Sequence, residues 1–116
     1  MQTLEQQRAA HAWNCVQGSG KEYTNLAKGA PALIMNNGLM QALAFYQSKG
    51  KDYHQALNRH ILDWLNERRL VPDVGFENAM EALCRAEPPA YRRATQEALE
   101  LLKWIRQFAA AVAREE

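Results

Sequence analysis

A chain of 116 residues has room for one hydrophobic core and not two, and it excludes large catalytic architectures such as the (β/α)8 barrel, which needs about 200 residues or more. Hydrophobic residues at 47% and charged residues at 23% fit a soluble globular protein and exclude disordered, collagen-like and fibrous classes. Fourteen Lys and Arg against thirteen Asp and Glu leave a net charge of +1, so the total does not mark a nucleic-acid binder and only its distribution is informative.

Thr3 with Gln6 forms a capping pattern for a first helix reaching Gln17, with Leu4, Ala9, Ala12, Trp13 and Val16 facing inward. Gly18-Ser19-Gly20 ends it, and Ser19 with Glu22 repeats the pattern for a second helix whose inner residues are Tyr23, Leu26, Ala27 and Ala30. Pro31 interrupts or kinks that helix, because it has no amide proton for the ladder. The run continues to Asn36-Asn37-Gly38, a stop signal, since Asn and Gly tolerate the left-handed conformation of helix ends. Leu39 to Gln47 resumes a helix through Leu43, Ala44 and Tyr46, closed by Ser48-Lys49-Gly50. Asp52 with Gln55 caps the next, placing Tyr53, Leu57, Ile61, Trp64 and Leu65 on one face and Gln55, Arg59, Asp63 and Asn66 on the other. A short helix from about Gly75 to Arg85 follows, with Phe76, Ala79, Met80 and Leu83 inward.

After Glu87-Pro88-Pro89 comes the strongest pattern. Tyr91, Ala94, Ala98, Leu101, Leu102, Ile105, Phe108, Ala109 and Val112 make a continuous apolar stripe, predicting a helix of five or six turns with Pro89 in its first turn. No alternating β-branched run favours a strand. The expected fold is all-α, a single compact domain over residues 1–116 of about six helices packed around the long C-terminal one.

Chemistry-bearing residues are sparse. His11, His54 and His60 lack the i, i+4 pairing and carboxylate partner of a helical zinc site. His60 with Asp63 has no Ser or Cys presented as nucleophile, which argues against hydrolase chemistry. Gly18-Ser19-Gly20-Lys21 follows a helix rather than a strand and is too short for a phosphate loop. Cys15 and Cys84 are 69 positions apart and read as reduced, mostly buried thiols. Trp13, Trp64 and Trp104 read as core or interface anchors in preference to base-stacking platforms. The reading is therefore of no catalytic residues, no metal and no cofactor. The opening Met-Gln-Thr-Leu-Glu is unlike a secretory leader and no run approaches the roughly 18 apolar residues of a membrane span; a cytoplasmic protein without membrane contact is expected.

Charge distribution says more. Up to His60 there are six basic and three acidic residues, a balance of +3; the remainder has eight and ten, a balance of −2. At about 100° per residue, Arg92, Lys103 and Arg106 fall within about 60° of one another, opposite the apolar stripe and over roughly 21 Å of helix, long enough to follow several phosphates. Arg93 flanks them, with Glu97 and Glu100 on the shoulder. The alternative is an ordinary solvated face. Lys21, Lys28, Lys49 and Lys51 lie near helix starts or loops, where flexible side chains reach a phosphate without reading a base.

The stretch Tyr23-Thr-Asn-Leu-Ala-Lys-Gly-Ala-Pro-Ala-Leu-Ile-Met-Asn-Asn-Gly-Leu-Met-Gln-Ala-Leu-Ala-Phe45, followed by Lys49-Gly50, and the closing Tyr91-Arg-Arg-Ala-Thr-Gln-Glu-Ala-Leu-Glu-Leu-Leu-Lys-Trp-Ile-Arg-Gln-Phe-Ala109 resemble the small helical subunit of Cmr-type (type III-B) CRISPR effector complexes. Together they span roughly a third of the chain. The segment from Leu70 to Pro89 matches nothing in that pattern. The resemblance implies a non-catalytic subunit, several copies of which stack along a filament of larger backbone subunits beside guide RNA and target RNA. Lys28, Asn37, Lys49 and Lys103 are the polar positions it carries over; Lys21, Lys51, Arg92, Arg93 and Arg106 come from the charge geometry. The implied RNA contacts are sequence-independent, through the backbone, and the isolated chain is expected to be monomeric or weakly associating. The competing reading is a helical protein-protein adaptor without nucleic-acid binding, docking through Trp104 and Leu99.

Overall fold

The structure, a computed structural model, describes residues 1–113. Its helices are α1 (Leu4–Val16), α2 (Lys21–Asn37), α3 (Leu39–Lys49), α4 (Asp52–Glu67), α5 (Phe76–Arg85) and α6 (Pro88–Ala113), with no strand among the described residues. The all-α expectation holds.

Local chemistry sets most boundaries. The Thr3 hydroxyl accepts from the Gln6 amide at 3.1 Å while the Gln6 side chain accepts from the Thr3 amide at 2.8 Å, the reciprocal cap expected from sequence. The Ser19–Glu22 cap does not form. Gly20 is the N-cap of α2, and the Ser19 hydroxyl instead donates back to the Val16 carbonyl at 2.8 Å. Similarly Asp52 lies inside α4 and Lys51 is its N-cap, without a side-chain bond. Pro31 does not interrupt α2. Ala27, Ala30 and Ile34 are buried on both sides of it, and their packing holds the helix through the missing hydrogen bond.

At the α2–α3 junction the Gly38 amide donates to the Ile34 carbonyl at 2.7 Å with φ +92°, confirming the Asn36-Asn37-Gly38 stop. The next amide but one, of Met40, donates to the Tyr91 hydroxyl at 3.1 Å, so α6 tethers the start of α3. Helix α4 ends in a Schellman closure: the Leu70 amide donates to the Leu65 carbonyl at 2.8 Å while Arg69, not glycine, takes the left-handed conformation at φ +63°.

Helix α6 has 26 residues, about seven turns and longer than expected, because Pro88 and Pro89 both fit its first turn. Helices α1, α2, α3 and α4 all pack against it. Ala94, Ala98, Leu101, Leu102, Ile105 and Ala109 are buried there, facing Val16, Ala27, Ile34, Leu39, Leu43, Leu57, Ile61, Trp64 and Leu65 in one continuous core. The molecule is a flat slab of 43 × 39 × 23 Å.

Four inward assignments need correction. Trp13 is 48% exposed, lying edge-on to Phe108 at 5.2 Å between ring centres instead of entering the core. Ala44 is exposed, as is Cys84, which touches the Met40 sulfur at 3.7 Å; Cys15 is half-buried, so neither thiol is buried. Conversely, His54 and Asn58 of α4 are buried although both are polar. The Asn58 amide nitrogen donates to the Leu43 carbonyl at 2.8 Å, which ties α4 to α3.

Candidate nucleic-acid interface

The nine residues singled out from sequence all lie on the surface, eight of them in three groups and Asn37 apart. Lys21 and Lys28, seven positions apart, share the outer face of α2 with Asn25 and Ala32. Lys49 and Lys51 flank the α3–α4 turn at Gly50, whose φ of +72° makes it sharp. Arg92, Arg93, Lys103 and Arg106 lie on the solvent side of α6.

The cations differ in their partners. Lys103 is held by Glu100 at 3.2 Å, an i, i+3 pair. Among the described residues Arg92, Arg93, Arg106, Lys21, Lys28 and Lys51 have no carboxylate within 4.0 Å. The Lys49 ammonium stands 4.9 Å from the centre of the Phe45 ring, a cation–π contact on a side chain that is 46% exposed. Asn37 is turned inward on its own helix, its amide 3.4 Å from the Leu33 carbonyl, and it lines a groove of about 360 Å³ with Met40, Cys84 and Tyr91. That groove brings Asn37 to the residue preceding Arg92.

Glu97 is the principal misreading. It is 9% exposed and lies inside the fold, not on a solvated shoulder. Its carboxylate accepts from both ends of the Arg8 guanidinium, at 3.1 and 2.7 Å, and from the Trp64 indole nitrogen at 3.0 Å. Above all the Arg8 hydrogen bonds, and then the Trp64 one, hold its pKa below the usual carboxylate value against the opposing cost of burial. Helical angle alone puts Glu97 about 20° outside the apolar stripe, and only the packing of α1 and α4 closes over it. Arg8 is thereby withdrawn from the surface cations.

The histidines form a structural chain. The Tyr23 hydroxyl and His60 Nδ1 are hydrogen-bonded at 2.7 Å, and His11 Nε2 lies 3.3 Å from the His60 carbonyl. His11 does have a carboxylate partner, Glu67 at 3.3 Å, contrary to expectation. Burial above all lowers the His60 pKa and raises that of Tyr23, so the neutral pair is the stable one. No group of three His, Cys, Asp or Glu among the described residues is placed to hold a metal ion, and no helix among them is long and apolar enough to cross a membrane.

An all-helical bundle with cations on three outer surfaces and one acidic side chain, Glu97, tied into its packing defines a class: a small all-helical protein. The comparisons are narrower. Residues 4–112 match the family described as CRISPR-associated protein (Cas_Cmr5). The CRISPR system Cmr subunit Cmr5 of Thermus thermophilus is 35% identical over 120 residues, covering 99% of this chain and all of that protein. A crystal structure of a CRISPR-associated Cmr5 family protein, also from Thermus thermophilus, superposes with a TM-score of 0.80 at 34% identity, over 96% of this chain and 97% of that one. The chain belongs to the Cmr5 family of CRISPR-associated proteins.

Proposed function

We propose that this protein is the small, non-catalytic subunit of a type III-B CRISPR ribonucleoprotein, where it lines the channel that holds guide RNA and the target RNA paired to it. The observation that carries this reading is the family match across residues 4–112. The surface supports it. Arg92 and Arg106, roughly 21 Å apart along α6, are exposed and without a carboxylate partner among the described residues, as are Lys21, Lys28 and Lys51. Arginines and lysines dispersed in this way neutralise phosphates without reading sequence, which suits guides of differing sequence but common duplex shape. Larger backbone subunits and further copies of the chain are its partners in a filament, and no membrane is involved.

Each phosphate contact contributes a slope of about 0.7 to 0.9 in log K against log salt, so a few contacts from one copy bind weakly and repetition along the filament supplies avidity. Purifying the tagged chain from its own cells and sequencing the accompanying RNA is the test. Short guide RNAs with a shared 5′ tag, recovered with larger subunits, uphold the proposal. A single protein partner without RNA removes it in favour of the adaptor. The exposed Trp13, edge-on to Phe108, with Trp104 5.5 Å further along, is the feature favouring protein contact.

A further inference from the structure

Asn58 presents an unexplained polar atom. The residue is 3% exposed, its amide nitrogen is used on the Leu43 carbonyl, and its side-chain oxygen has no hydrogen-bond partner. A buried acceptor left unpaired costs about 1–3 kcal/mol, and such groups in folded proteins call for a reason. Asn58 forms part of the wall of a groove of about 290 Å³ between α4 and the start of α5, with Gln47, Gln55, Arg59 and Phe76 around it. That volume is at the small end of the ~300–1,000 Å³ typical of ligand sites, which suits a single ring system.

The surroundings specify the ring. Phe76 is a half-buried aromatic at the edge of the groove. Gln47 and Gln55 offer amide donors and acceptors and are exposed; Gln55 is held by a long 3.4 Å bond to the Gly50 carbonyl. These two glutamines bracket the turn that carries Lys49 and Lys51. Arg59 is 3.8 Å from Asp63, a loose pair. Asp73 is committed to the Gly75 amide and to Asn78, both at 2.7 Å, leaving Asp52 as the exposed carboxylate beside the turn. An arginine beside an aromatic and three amides, with Lys49 and Lys51 on the adjoining turn, supplies the kinds of group by which proteins hold an unstacked base.

We propose that this groove takes one unstacked nucleobase, stacked on Phe76, with an N–H of the base donating to the Asn58 oxygen and with Lys49, Lys51 and Arg59 placed for its phosphates. The inference deepens the RNA-channel reading and rests on it for the source of the base. It locates a base contact on the opposite side of α4 from the Tyr23–His60 chain and away from the α6 arginines.

The test is NMR titration of the uniformly 15N-labelled full chain with adenosine 5′-monophosphate, ribose 5-phosphate and a six-nucleotide single-stranded RNA. Adenosine monophosphate and the RNA should shift the Asn58 side-chain amide and the Phe76 backbone amide, while ribose 5-phosphate shifts only amides near Lys49 and Lys51. Phe76→Leu, which keeps apolar volume but removes the stacking face, should weaken nucleotide binding about tenfold, and Gln55→Ala, which removes a groove amide without touching the core, should weaken it by a smaller factor. Equal shifts from ribose 5-phosphate, or an Asn58 amide that does not move at millimolar nucleotide, overturn the proposal. RNA that shifts α6 near Arg92 and Arg106 but not Asn58 overturns it while leaving the channel reading intact. Adenosine monophosphate in the groove with no response to RNA anywhere upholds the base site for a free nucleotide and removes the RNA reading.

Discussion

Arg8, Trp64 and Glu97 join α1, α4 and α6 through one carboxylate, with side-chain exposures of 18% for Arg8 and 12% for Glu97. Removing one member of such a pair leaves the other charge without compensation. Arg8→Ala should therefore destabilise the fold by about 2–3 kcal/mol, seen as a fall in Tm of roughly 10 °C, whereas Arg8→Met with Glu97→Leu should recover much of the loss. A double variant no more stable than Arg8→Ala would contradict this account. Glu97 and two histidines set an acid limit. His60 has a lowered folded pKa, so below its unfolded value of 6.5 the unfolded chain binds more protons and stability falls as pH drops. His54, lowered by burial and then by Lys49 and Lys51, acts in the same direction. Glu97, also lowered, adds stability that is present above 4.5 and lost as pH falls further through its folded pKa. Thermal melts should thus decline in two stages, one beginning near pH 6.5 and one below pH 4.5, and His60→Gln should reduce the first, leaving the part due to His54.

Helix ends rest on backbone conformations that single substitutions can probe. Gly38, at φ +92° and ψ 158°, occupies a region open essentially to glycine; an added Cβ would stand in ordinary van der Waals contact with the Tyr91 hydroxyl at 3.7 Å, so the strain lies in the backbone. Gly38→Ala should cost about 1–3 kcal/mol. Gly29 is the opposite case: it lies within α2 with nothing within 4 Å of an added Cβ, so Gly29→Ala should stabilise by about 0.5–1 kcal/mol. Arg69 occupies the left-handed position that closes α4, and Arg69→Gly should be neutral or stabilising by up to about 1 kcal/mol. Urea unfolding midpoints of the three variants check the predicted order, with Gly38→Ala the lowest and the other two at or above the parent chain. The left-handed Arg69 was not legible from sequence, since glycine is the usual sign of such an end and Arg68-Arg69 reads as more helix.

At the scale of the molecule, charge is arranged by helix faces. Because Lys103 is already held by Glu100, reversing Arg92 and Arg106 to Glu should weaken RNA engagement of the assembled complex nearly as much as reversing all three. Each lost contact should lower the salt slope by about 0.7 to 0.9. Far-ultraviolet circular dichroism of the isolated chain should stay unchanged, because these side chains lie outside the core. RNA engagement that is insensitive to Arg92 and Arg106 would move the interface to the lysines of α2 and of the α3–α4 turn.

The order of six helices, the inner face of α6, the Thr3 cap and the Asn36-Asn37-Gly38 stop follow from the sequence by itself, because each depends on neighbours within four residues and on the 3.6-residue period. The family was legible too, in two stretches at either end of the chain. What only the tertiary structure decided is where those faces meet. Pro31 stays helical because residues on both sides are buried; Glu97 becomes interior because Arg8, 89 positions away, arrives beside it. Trp13 stays half outside, its ring edge-on to that of Phe108 on α6. Asn58 is buried because α3 folds its Leu43 carbonyl back over α4. Polar groups near the edge of an apolar stripe can be solvated or buried at similar local cost, and the partner that settles the choice comes from a distant part of the chain.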